Sequence, residues 1–62
     1  MYDYEFEELK SYKGYGISKA YKVDDDGKRI NGTTVYLVDD GDDYIGEEYK
    51  SIKEAHKFVD EM

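Results

Sequence analysis

Ser51-Ile52-Lys53-Glu54-Ala55-His56-Lys57-Phe58-Val59-Asp60-Glu61-Met62 closes a run from Thr33 to Met62 around which the rest of the chain is arranged. Apolar residues at 52, 55, 59 and 62, with Phe58 beside them, make the stripe of a helix that lies on a flat surface. Ser51 and Glu54 have the Ser-x-x-Glu spacing of a capping box, in which each side chain satisfies a backbone N–H at the helix start. A helix of about a dozen residues is marginal alone in water, so its apolar face needs a partner. The segments before it supply one. Thr33 to Val38 is β-branched and aromatic, as a central strand is. Asp39-Asp40-Gly41-Asp42-Asp43 reads as a hairpin tip and Tyr44 to Tyr49 as a short fourth strand.

Moving towards the N-terminus, Asp24-Asp25-Asp26-Gly27 and Asn31-Gly32 are two turn signals close together, because Asp, Asn and Gly tolerate positive φ. Their proximity predicts an extended or bulged excursion, not one tight hairpin. Tyr15 to Val23 alternates, with Tyr15, Ile17, Tyr21 and Val23 on one side. Lys19 interrupts that side, so its stem packs and its amine reaches out to solvent. Ser11-Tyr12-Lys13-Gly14 is a turn. Before it, Tyr2, Tyr4 and Phe6 alternate with Asp3, Glu5 and Glu7, a period of two that predicts a strand over 2–9 with an aromatic and a carboxylate side. Glu7-Glu8-Leu9-Lys10 also suits a helix.

The fold expected is therefore α+β: a single domain, 1–62, with an antiparallel meander of three to four strands and one C-terminal helix across one face. The helix covers Val35, Leu37 and Ile45 or their alternates. Tyr36 and Val38 are apolar too, so the sequence leaves the face open.

Sixty-two residues make a thin core. With no cysteine, no disulfide staples the chain and no thiolate holds a metal. No apolar run has the length of a membrane span, and the acidic start Met1-Tyr2-Asp3-Tyr4-Glu5 is unlike a signal peptide. A cytoplasmic location is expected. Sixteen acids against nine bases leave a net charge of −7. Such a charge repels phosphate backbones and anionic membranes and favours a basic protein as partner. The eight tyrosines supply apolar bulk on a sheet and are enriched at interfaces.

Candidate chemistry is soon exhausted. An EF-hand needs oxygen ligands at loop positions 1, 3 and 5, glycine at 6 and glutamate at 12. Gly27 at position six puts Lys22 first and Thr33 twelfth; Gly41 there puts Tyr36 first and Val38 third. Both fail. His56, the one histidine, builds no ordinary zinc site alone. A Ser-His-Asp set would need His56 to face a buried serine, and of Ser11, Ser18 and Ser51 the last is already a cap. No phosphate-binding glycine loop is present. No cofactor, no metal and no enzymatic activity are expected.

The acids are unevenly spread: residues 39–48 hold six and residues 1–9 hold four, with no base in either, whereas residues 10–29 hold six bases and three acids. Asp3, Glu5 and Glu7, at i and i+2 on one strand side, repeat every ~6.6–6.8 Å. A row of anions at that spacing fits a groove built for a phosphate backbone, although charge runs are usually only solvated surface. The partner-binding candidates are Asp39, Asp40, Asp42, Asp43, Glu47 and Glu48, with Asp3, Glu5 and Glu7 as a second row and Tyr36, Tyr44 and Tyr49 as anchors.

Gly14-Tyr15-Gly16-Ile17-Ser18-Lys19, Tyr44-Ile45-Gly46-Glu47-Glu48-Tyr49 and Ser51-Ile52-Lys53-Glu54-Ala55 together resemble small acidic proteins of phages and mobile elements in low-GC Gram-positive bacteria. That resemblance implies an anti-CRISPR or anti-restriction inhibitor acting as a DNA mimic, with a CRISPR or restriction nuclease as partner. The alternative is a structural or assembly module of such an element, homodimeric through an exposed edge strand.

Overall fold

The structure, a computed structural model, describes residues 3–62; the part of the expected first strand at Tyr2 lies outside them. The chain forms β1 (Asp3–Glu8), β2 (Gly16–Val23), β3 (Val35–Asp39), β4 (Tyr44–Tyr49) and α1 (Ile52–Asp60). One antiparallel sheet in the order β1-β2-β3-β4 carries the helix on one face. The α+β meander read from the sequence is therefore what the chain builds, with four strands. Residues 7 and 8 are strand, not helix. No helix among the described residues is long and apolar enough to cross a membrane.

Register assigns the faces. Ile17 pairs with Val38 and Lys19 with Tyr36. Ile17 and Val38 form the core with Ala55 and Val59 of the helix. Directly opposed residues share a face and alternate along each strand, so the helix covers Tyr36 and Val38, while Val35 and Leu37 point the other way. Ile45 does pack beneath the helix, with Tyr49 and Phe58. Tyr12, Tyr15, Tyr36 and Tyr49 pack around this centre.

Ser51 caps the helix by accepting the Glu54 N–H at 3.2 Å. The returning Glu54 carboxylate accepts instead from Lys50 N, one residue earlier than a capping box requires. Ala55 and Val59 are buried, whereas Ile52 and Met62, the ends of the apolar stripe, are exposed.

The β1–β2 connection, residues 9–15, reverses at a two-residue turn, Lys13-Gly14, closed by reciprocal Tyr12–Tyr15 bonds at 2.9 Å. Both turn residues have positive φ (50° and 86°), the requirement of a type I′ hairpin, which glycine meets without strain. The loop is tied to the far end of the chain. Tyr12 stacks on His56 at 3.9 Å and donates to Asp60, and the Lys13 amine pairs with the same carboxylate. These contacts hold Asp60 below the usual carboxylate range and Lys13 above its ordinary value.

The β2–β3 connection is the expected excursion. Asp24 caps its own turn by accepting from Asp26 N and Lys28 N. Val23 bridges to Arg29, and Thr33 Oγ1 donates to the Ile30 carbonyl while accepting from Lys22 N. Arg29 lies over the Tyr21 ring. Thr33 and Thr34, expected in the third strand, stand before it.

Candidate interaction surface

Among the described residues, none forms a second layer on the face opposite the helix. Phe6, Ala20 and Val35 are consecutive cross-strand partners on it, as are Glu8, Ser18 and Leu37. Ala20 and Ser18 are buried between their neighbours, but Tyr4, Phe6 and Tyr44 stand 55%, 60% and 60% exposed. Tyr4 and Phe6 lie 6.4 Å apart, and Lys22 sits over Tyr4.

At the end of this face nearest the β3–β4 hairpin is a depression of about 410 Å³. Phe6 and Tyr44 supply its apolar wall, and Glu8, Asp39, Asp42 and Asp43 supply carboxylates around it. Meander topology makes the convergence. The C-terminal end of β1, the C-terminal end of β3 and the hairpin tip all lie at the same end of the sheet.

Within the tip the four aspartates have different work. Asp39 Oδ1 accepts from Gly41 N, and Asp40 Oδ1 accepts from both Asp42 N and Asp43 N at 2.9 Å. These two carboxylates build the turn, since Asp side chains mimic backbone turns by bonding N–H groups two or three residues on. The two backbone N–H bonds hold the Asp40 carboxyl below its ordinary range. Asp39 also fills the space above its partner Gly16, where an added Cβ would meet the Asp39 carboxylate carbon at 2.8 Å. The Asp43 carbonyl closes the turn by accepting from Asp40 N at 3.1 Å, but the Asp42 and Asp43 carboxylates accept no hydrogen bond from another described residue and are open to solvent.

The remaining sequence candidates are scattered. Asp3, Glu5 and Glu7 lie on β1 on the helix-side face, opposite Val23, Tyr21 and Lys19, at the sheet edge farthest from β4. Glu7 shares its charge with Lys19 at 3.5 Å, which gives the Lys19 amine its way out of the apolar face. Glu47 and Glu48 sit in an irregular part of β4, and Glu47 lines a second depression with Lys57 of the helix. The two acidic rows therefore do not form one continuous surface.

The anchors separate as well. Tyr44 is exposed beside the tip, but Tyr36 and Tyr49 pack against the core, Tyr49 with its ring 5.6 Å from that of Phe58. Phe6 and Glu8 were not among the sequence candidates. The alternation that puts Glu8 on the side of Tyr4 and Phe6 is visible in the chain; its meeting with Asp42 and Asp43 depends on strand order. Among the described residues no group of three or more His, Cys, Asp or Glu side chains is arranged to hold a metal ion. Comparison with known protein families, with curated proteins and with solved structures finds no match.

Proposed function

We propose that the protein is a non-enzymatic, cytoplasmic binding module whose hairpin tip and uncovered sheet face dock on a basic protein. In its specific form it is a phage-type inhibitor that takes the place of nucleic acid on a CRISPR or restriction nuclease. The observation that supports this reading is the meeting of Glu8, Asp39, Asp42 and Asp43 around exposed Phe6 and Tyr44. Carboxylates steer a basic partner and set its orientation. Exposed aromatic rings in the same depression give the buried contact area that charge alone does not. A purely solvated acidic surface has no need of the second component.

The test is capture of a partner from bacterial lysate, with the protein as bait, at low and high salt and with competing duplex DNA. A nuclease released by both salt and DNA fits the mimic; a partner indifferent to both sinks it. Asp42→Lys with Asp43→Lys abolishes capture and leaves the circular dichroism spectrum unchanged, because neither side chain holds the turn. Reversing Asp39 or Asp40 would confound the result by opening the tip. The exposed aromatic face also suits the alternative of an assembly module, for which the mass in solution would rise with concentration while lysate capture failed.

A further inference from the structure

The outer edge of β1 is a row of backbone groups with nothing paired to it among the described residues. Which residues provide the row follows from one bond. Leu9 N donates to Ile17 O at 2.9 Å, and in an antiparallel ladder bonded and non-bonded pairs alternate. Glu7, Glu5 and Asp3 thus spend their backbone groups on Lys19, Tyr21 and Val23. Tyr4, Phe6 and Glu8 turn both N–H and C=O outward.

Charge is the one defence this edge carries. All six residues of β1 are exposed and pair with β2 without a register shift, and the strand contains no proline, glycine or lysine. Native edges are commonly blunted by bulges, proline, lysine or short length. On the opposite edge, three residues of β4 lie between Ile45 and Tyr49 where β3 has only Leu37.

Charge selects what can pair there. A two-fold antiparallel pairing of β1 with β1 of a second copy sets residues of like parity opposite one another. Centred on Glu5, it would place Asp3 against Glu7 and Glu5 against Glu5 on one face. Like charges directly across a ladder are destabilising, so self-pairing is disfavoured. A strand with Lys or Arg at those positions would meet Asp3, Glu5 and Glu7 with opposite charge. Its alternate residues would lie beside Tyr4 and Phe6 on the uncovered face, where apolar side chains fit.

We propose that the outer edge of β1 is a strand-addition site for an extended peptide segment that alternates basic with apolar residues. Main-chain bonds to Tyr4, Phe6 and Glu8 supply the binding, and side-chain alternation supplies the selectivity. The site does not depend on the nuclease reading: its selective charges lie on the helix-side face, away from the residues altered in the tip.

The probe is a synthetic peptide of alternating lysine and valine, with an N-methylated version of the same composition that keeps the charge but cannot extend the ladder. Binding is followed by NMR on the isotope-labelled protein. On adding the first peptide, the amides of Tyr4, Phe6 and Glu8 gain protection from hydrogen exchange, and those of Glu5 and Glu7 do not. Glu5→Lys with Glu7→Lys weakens binding about tenfold, as two cross-strand attractions become repulsions. Both side chains are exposed, and a matching dichroism spectrum shows that the variant is folded. Equal binding of the N-methylated peptide, an unaffected charge variant, or binding without protection at the three amides each overturns the proposal. So does self-association through β1.

Discussion

β4 leaves its ladder for three residues and turns Tyr49 inward onto Phe58, whereas β1 keeps an unbroken six-residue pairing and turns Tyr4 and Phe6 out to solvent. Both are edge strands of one small sheet. At β4 irregular backbone and the adjoining helix interrupt the edge; at β1 only carboxylates guard it. The difference shows how a core this small divides its material. Ile17 and Val38 are its largest fully buried side chains, and the helix packs chiefly on β3 and β4. β1 gains stability mainly from its ladder and its cross-strand neighbours on β2.

The sharpest way to break the contrast is at Ile17, a fully buried side chain of β2 beneath the helix. Ile17→Ala should cost about 2–5 kcal/mol, a large part of the stability of a chain this size, and thermal melting should show a strongly lowered or absent transition. Next comes the β4 irregularity. Gly46 has φ 75°, and an added Cβ would lie 2.6 Å from Tyr49 Oη and 2.9 Å from Phe58 Cζ. Gly46→Ala should cost about 1–3 kcal/mol, measured by urea unfolding, with the loss falling on the helix side. The smallest effect belongs to β1: Phe6→Ala should change stability by no more than about 0.5 kcal/mol while weakening any partner bound on the uncovered face. A large loss of stability there would mean that β1 belongs to the core after all.

The architecture was legible because local signals agree along the chain. Period-two alternation marks 2–9 and 15–23, turn residues fall between the runs, and Ser51 opens a clear helical stripe. The face the helix would choose was not legible, since Val35, Tyr36, Leu37 and Val38 are all apolar and only packing against Ile17 decides. The candidate surface was half legible. Asp42, Asp43 and Tyr44 stand out locally, but Phe6 and Glu8 join them through strand order, which brings together residues more than thirty positions apart. Tyr36 and Tyr49 show the reverse: composition alone does not say whether a tyrosine serves an interface or the interior.

Tyr12 and Asp60, joined across 48 positions of sequence, tie the first hairpin loop to the last turn of the helix. Lengthening a closed loop adds entropy cost only logarithmically, so this distant contact is cheaper than its span suggests. Hydrogen-exchange protection at Tyr12 and Tyr15 should therefore rise and fall with that of the helix, not with that of the strand edge a few residues away.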